Sequence, residues 1–206
     1  MILESVSVGE LEVNCYIVAA SKDREALIID PGDDEAKIKK VLHKHGLKPG
    51  LVINTHSHYD HIGCDDKFGV AVYAHRLDAG ALKNPQGNLS ALFMRSYRVE
   101  SEIREVEEGD IISCDGVELE VIHTPGHTPG GICLLMKNPQ GDILFSGDTL
   151  FYRGVGRADL PGGNEEVLIS AIREKLFILP DQTAVYPGHG PSSSIGMEKQ
   201  SNPFFS

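Results

Sequence analysis

Basic residues are scarce in this sequence: Lys and Arg number 19 against 30 Asp and Glu, a formal net charge of −11 over 206 residues. A field of that sign repels phosphate backbones, and no Lys/Arg cluster reverses it locally, so nucleic acid is a poor partner. Long apolar runs are also missing. No segment approaches the roughly 18 uninterrupted apolar residues of a membrane span. The start, Met1-Ile2-Leu3-Glu4, has neither a basic region nor an apolar stretch of signal-peptide length. The expectation is a cytoplasmic protein with no membrane partner. The four cysteines, Cys15, Cys64, Cys114 and Cys133, form no Cys-x-x-Cys pair, which argues against a structural zinc knuckle or a dithiol redox motif. They read as reduced packing residues; Cys64, three residues after His61, is the one weighed for a role at a site. There is no low-complexity tract and no Gly-x-Ser-x-Gly elbow, so a serine nucleophile of that kind is not expected. Hydrophobic residues at 41% and charged residues at 24% match a globular average. The length fits one unit, residues 1–206.

What is present is β structure first. Ile2 to Val8, Val13 to Ala19 and Ala26 to Ile29 read as strands, the last ending in Asp30-Pro31-Gly32. Asp33 to His45 changes period, with Ile38, Val41, Leu42 and His45 on one helical stripe and Gly46 placed to stop it. Leu51-Val52-Ile53 forms a short buried strand that runs into Thr55-His56-Ser57-His58-Tyr59-Asp60-His61, so a polar cluster sits at a strand's C-terminal end. A helix is expected from there to Phe68, then a strand through Val70 to Tyr73 and a short helix from Arg76 to Leu82. Asn84 to Arg98 has weak periodicity; Met94, Arg95, Tyr97 and Arg98 either face a pocket as part of a lid or belong to an ordinary surface loop. Further strands are expected at Val117 to Ile122, Ile132 to Met136, Ile143 to Phe145 and Thr183 to Tyr186, with a helix capped by Asn164 and running to Leu176. Two β-rich halves with flanking helices suggest an α/β fold of four αββα layers.

Histidine supplies a neutral nitrogen and aspartate a hard anionic oxygen, a mixture suited to zinc, iron or manganese at a catalytic site. In extended chain, residues two apart point the same way, so His56 and His58 can converge on one ion. Asp60 and His61 follow the turn of the chain and can address a second. Two ions need more donors, and His127, Asp148 and His189 each stand beside glycine at an expected strand end, where tight turns aim a side chain. One such histidine alone means little; five of nine histidines and two aspartates in these contexts form a constellation. His43, His45, His75 and His123 read as structural or surface residues, His123 being the one weighed for a place behind the metal ligands.

In order and spacing, Thr-His-Ser-His-Tyr-Asp-His, Thr-Pro-Gly-His-Thr-Pro-Gly-Gly, Gly-Asp-Thr-Leu-Phe and Pro-Gly-His-Gly-Pro resemble the signature of the metallo-β-lactamase superfamily. The likeness runs from Asn14-Cys15-Tyr16 to Ser201-Asn202-Pro203-Phe204. Within the superfamily the chain most resembles the short hydroxyacylglutathione hydrolase (type II glyoxalase) group, with Gly154-Val155-Gly156-Arg157 and Asp159-Leu160-Pro161-Gly162 contributing. The resemblance implies the four-layer sandwich and two divalent ions, zinc foremost, with iron or manganese as alternatives. It implies that His56, His58 and His127 bind the first ion, that Asp60, His61 and His189 bind the second, and that Asp148 bridges both. Asp60 and Asp148 are then the catalytic carboxylates. An aspartate at the bridging position is unlike true β-lactamases, and the acidic balance is unlike the RNA-processing relatives. The expectation is a single domain without the C-terminal helical domain of the longer type II glyoxalases. Asp159 and Pro191 also stand where tyrosines are expected, whereas Arg157 matches a basic substrate-binding position; Tyr97 is a second substrate-binding candidate. The implied reaction is hydrolysis of a small-molecule thioester such as S-lactoylglutathione. The alternatives are a mononuclear iron persulfide dioxygenase, with His56, His127 and Asp148 on the iron, or a lactone or ester hydrolase on the same site.

Overall fold

The structure, a computed structural model, describes residues 1–205. One six-stranded sheet is built from β1 (Ile2–Val8), β2 (Val13–Ala19), β3 (Glu25–Ile29), β4 (Lys48–Ile53), β5 (Val72–His75) and β6 (Ile103–Val106), adjacent in that order. The second holds β7 (Ile111–Cys114), β8 (Val117–His123), β9 (Ile132–Met136) and β10 (Ile143–Gly147). After the small ribbon of β11 (Leu150–Phe151) and β12 (Gly154–Val155), it is completed by β13 (Ala184–Pro187) and β14 (Ser193–Ser194). Its spatial order is β14-β13-β10-β9-β8-β7. The helices are α1 (Glu35–Lys44), α2 (Tyr59–Ile62), α3 (Arg76–Leu82), α4 (Glu165–Ala171) and α5 (Ile195–Ser201).

Side chains alternate between the two faces of a strand, and this alternation accounts for the layers. Cys15, Ile17 and Ala19 of β2 pack with Ile38 and Leu42 of α1, Ile62 of α2 and Leu82 of α3. Tyr16 and Val18 of the same strand pack instead with Leu119, Val121, Leu134 and Phe145 of the second sheet. β9 divides in the same way, with Ile132, Leu134 and Met136 turned to the first sheet and Cys133 and Leu135 to Leu168, Ile172 and Ile195. Three apolar clusters separate four layers, the αββα arrangement expected from the sequence. Both faces of β2 and β9 are covered, which is why they read as continuous apolar runs.

Direction then places the site. β3, β4, β5 and β6 run parallel. β10 is parallel to β13 and antiparallel to β9, which is antiparallel to β8, so β8, β10 and β13 share one direction. The carboxyl ends of these strands carry the segments singled out above, and such ends are where open α/β sheets bind ligands.

Two local expectations are corrected. The helix after the first histidine run does not reach Phe68: α2 stops at Ile62, because the Cys64 N–H is taken by the Pro31 carbonyl (2.8 Å), and only a 3-10 turn, Asp65–Lys67, follows. The strand expected from Val70 begins at Val72 and ends at His75. The helix from the Asn164 cap, whose side chain accepts from Val167 N, runs to Leu176 as expected, its last turn, Ile172–Leu176, being π-helical. All four cysteines are buried and unpaired, and Cys64 packs in the outer cluster under α1 and α2. Among the described residues no helix is long and apolar enough to cross a membrane.

Phe145 is fully buried between the sheets, its ring 5.1 Å from that of Tyr16 and 5.9 Å from that of Tyr186. Phe145→Ala leaves a cavity there and is expected to cost about 3–5 kcal/mol of unfolding free energy. Urea titration of both proteins checks this; an unchanged midpoint would contradict the assignment of the inter-sheet core.

Candidate metal centre

Four loops meet above the strand ends. The loop after β4 delivers His56 and His58 in extended chain, and α2 turns Asp60 and His61 back toward them. The β8–β9 loop brings His127, the end of β10 brings Asp148, and the end of β13 brings His189. The two sheets are tied at this point. The Tyr16 hydroxyl donates to the Pro187 carbonyl (2.6 Å), Asn14 N donates to the Gly188 carbonyl (2.7 Å), and Asn14 Nδ2 donates to the carbonyls of Pro187 (3.0 Å) and Gly190 (2.9 Å). A methyl group on Gly188 would run into the Asp148 carboxylate and the His61 ring, so only glycine lets this backbone pass.

The structure brings all seven predicted ligand residues together. Donor atoms of His56, His58 and His127 converge, as do those of Asp60, His61 and His189, and those of His56, His61 and Asp148. His56 Nε2 lies 3.3 Å from His127 Nε2, and His61 Nε2 lies 3.4 Å from His189 Nε2. Asp60 Oδ2 is 3.4 Å from His189 Nε2 and 3.7 Å from His61 Nε2. Two donors bound to one ion at about 2.0–2.1 Å and a tetrahedral angle stand roughly 3.3–3.4 Å apart, so these spacings fit shared coordination. Asp148 lies between the groups, with Oδ1 3.5 Å from His61 Nε2 and Oδ2 3.6 Å from both His127 Nε2 and His189 Nε2. Its Oδ1 is buried and has no hydrogen-bond partner. A buried anionic oxygen left in that state is costly unless a cation meets it.

Outer contacts aim the imidazoles. His127 Nδ1 donates to the Arg157 carbonyl (2.7 Å) and His189 Nδ1 to the Leu11 carbonyl (2.9 Å). A carbonyl only accepts, so each Nδ1 carries the proton and each Nε2 presents a lone pair. His61 Nδ1 is held by Asp30 Oδ2 (3.0 Å), and His56 Nδ1 by Thr55 Oγ1 (3.2 Å). Asp30 also accepts from Thr55 N and Thr55 Oγ1, both at 2.7 Å, so one buried carboxylate sets the positions of His56 and His61 together. Its backbone is left-handed (φ 52°), a strained conformation of the kind retained at functional sites. Asp78, also buried, accepts from Ser57 N (3.0 Å), Thr128 Oγ1 (2.8 Å) and Gly130 N (2.7 Å), fastening the His56–His58 loop to the His127 loop.

Burial, with the facing His127, pushes the His58 imidazole down to about 3. Burial, with His61 and His127 opposite, also drives His56 well below the ordinary histidine range. Both are thereby kept neutral, the form that ligates metal. Burial opposes charge on His61 too, but Asp148, Asp30 and Asp60 outweigh it and lift that imidazole to about 10. Asp60 is held low against its burial, chiefly by His61 and His189. The carboxylates thus draw positive charge to the centre of the cluster, which a divalent ion supplies in concentrated form.

The family model of the metallo-beta-lactamase superfamily matches residues 8–189. The chain belongs to this superfamily. It is 37% identical to the probable metallo-hydrolase YqgX of Bacillus subtilis, over 96% of this chain and 94% of that protein. It is 33% identical to the hydroxyacylglutathione hydrolase GloC of Haemophilus influenzae, over 99% of this chain and 97% of that one. Among solved structures it resembles the BLEG-1 B3 metallo-beta-lactamase (TM-score 0.90, 32% identity, all of both chains). It also resembles TTHA1623 in a di-iron-bound form (TM-score 0.81, 34% identity, 98% and 99% covered).

Beside this superfamily cluster lies a cleft of about 510 Å³, lined by His58, Asp60, His127, Asp148 and His189 and by an apolar wall that includes Tyr59, Leu92 and Phe93. Arg157 is on the cleft, but its guanidinium is paired with both oxygens of Asp159 (2.7 and 2.8 Å). Tyr97 is not. Its ring packs behind Tyr59 against the outer core and its hydroxyl donates to Asp66 (3.2 Å), so, against the expectation, Tyr97 is turned away from the cleft, and Tyr59 and Phe93 line it instead. Arg95 donates to the Tyr59 hydroxyl (2.6 Å), Arg98 turns away to the Lys83 carbonyl, and Met94 is open to solvent. His43 is exposed, and His45 pairs with Glu4. His123 stacks on His75 (4.0 Å) and donates to the Pro129 carbonyl (2.9 Å), supporting the His127 loop. Asp30, Thr55 and Asp78 were not singled out from the sequence; of these only Asp30 carried a signal, its place in the Asp-Pro-Gly turn.

Asp30→Asn keeps one acceptor but removes the charge and part of the bidentate hold on Thr55 and His61. It is expected to weaken metal affinity about 10–100-fold, measured by competition with a chromophoric chelator. Unchanged affinity would show that His61 is aimed by something else.

Proposed function

We propose that the chain is a metal-dependent hydrolase acting on thioesters, S-lactoylglutathione or a related S-acyl thiol, with two divalent ions in the site. The observation that supports this most is the placement of Asp148. One oxygen is buried and unpartnered, and the carboxylate stands between two groups of imidazole nitrogens. His56, His58 and His127 would hold one ion, Asp60, His61 and His189 the other, and Asp148 would contact both. The nitrogen and oxygen donor set suits zinc, iron or manganese, and the di-iron form of TTHA1623 is in keeping with a pair. Bound there, the ions would supply hydroxide at neutral pH by lowering the pKa of water toward ~7, and would polarise a carbonyl.

The chain's own residues position and balance this chemistry. Asp60 and Asp148 line the cleft and hold negative charge at its floor, next to where a substrate carbonyl would enter. Asp30, Thr55, Arg157 O and Leu11 O fix the rings so that they need not reorganise during reaction. Tyr59 and Arg157 on the cleft lining are engaged by Arg95 and Asp159. A thiol with pKa near ~8.5 leaves as the anion without a strong general acid, whereas an amide nitrogen does not. That favours a thioester over a β-lactam here, and the name of GloC points the same way.

The test is a panel on metal-loaded protein: S-lactoylglutathione, an S-acyl N-acetylcysteamine, a lactone, a cephalosporin, and glutathione persulfide in an oxygen electrode. Thioester cleavage is expected to exceed lactone and β-lactam cleavage by at least ~10-fold in kcat/KM, with no oxygen uptake. Asp148→Ala is expected to lower it by more than the ~10–100-fold typical of an outer contact. Oxygen consumption with the persulfide, or preference for the β-lactam, would overturn this reading.

A further inference from the structure

The wall of the cleft is more specific than its floor. Leu11, Leu92 and Phe93 are 49%, 70% and 48% exposed, and with Tyr59 they form an apolar face next to the histidine cluster. Large apolar side chains left open beside a reactive site mark a surface that something covers. This face is built rather than incidental. Leu92 and Phe93 lie on a 3-10 turn, Ser90–Phe93, bounded by Leu89 and Met94, both left-handed (φ 64° and 54°) and neither glycine. Such strain persists only where the surroundings impose it. Here the buried Asn88 does so: its Nδ2 donates to the carbonyls of Leu82 (3.3 Å) and Tyr97 (3.0 Å), its Oδ1 accepts from Ser90 N (3.0 Å), and its carbonyl accepts from Tyr59 N (2.8 Å).

Arg157 is the cation among the lining residues, and its Nε and Nη2 donate to Asp159 (2.7 and 2.8 Å). Arg95 stands in the adjoining groove with Glu10 and Asp33 and is bonded to Tyr59.

We propose that the substrate carries an apolar acyl arm of several carbons, laid along Leu11, Tyr59, Leu92 and Phe93. The bond broken rests on the thioester reading above; the arm does not.

The experiment separates the two. Binding of non-cleavable thioethers, S-methyl, S-butyl and S-hexyl N-acetylcysteamine, is measured by calorimetry on zinc-loaded and metal-free protein. The matching acyl thioesters are assayed for thiol release. Affinity and kcat/KM are expected to rise by up to about fourfold per methylene. Leu92→Ser and Phe93→Ser should flatten the series; both side chains are exposed, so the core is untouched. If affinity rises with length while no thioester is cleaved, the arm stands and the cleavage reading falls. If affinity does not rise with length, or thioesters of every length are cleaved equally, the arm falls.

Discussion

The carboxylate of Asp148 sits where the end of β10 meets three imidazoles, with one oxygen buried and given no hydrogen-bond donor. Much of the molecule is arranged around that unmet charge. The strands that deliver the other donors share a direction within each sheet, so their carboxyl ends open on the same side. Gly188 lets one loop pass against the carboxylate without a side chain in the way. Asp30 and Asp78 lock the loops that carry the histidines, and the carbonyls of Arg157 and Leu11 turn the Nε2 lone pairs of His127 and His189 inward.

Scaffold and specificity are divided between different parts of the chain. The three apolar clusters hold the sheets and helices, and the inter-sheet cluster, with Tyr16, Phe145 and Tyr186 in ring contact, reaches to the floor of the site through the Tyr16 hydroxyl. The cleft wall comes instead from short irregular segments: the turn around Ser90–Phe93, the tip at Leu11, and the stretch after β12. Loops of this kind can vary without disturbing the core. The superfamily's metal floor is compatible with proteins named for different activities, a GloC hydrolase and a B3 lactamase among those this chain resembles, and the wall is where a difference in substrate would be written.

Much of this was legible in the sequence for identifiable reasons. β2 and β9 were legible because burial on both faces keeps polar side chains out of the stretch from Cys15 to Ala19 and out of Ile132–Met136. The seven donors were legible because each sits beside a turn residue at a strand end. β6 and β7 were not. β6 lies at a sheet edge with Arg104 and Glu105 facing out, and β7 offers only two buried positions, Ile112 and Cys114. α5 is a seven-residue helix whose Ser194 cap is hidden in a run of serines. Asp78 was invisible because its partners, Ser57, Thr128 and Gly130, lie 21 to 52 residues away. The exchange of Tyr97 for Tyr59 and Phe93 turns on a side chain's direction in a loop, which no local pattern encodes.

In the proposed centre seven side chains hold two ions that share Asp148. Elemental analysis of metal per chain, on the protein and on His189→Ala, tests this. Two ions per chain, falling to one in the variant, is the predicted result. A single ion in both proteins would contradict the account, because it would leave Asp60, His61 and His189 without the charge their arrangement calls for.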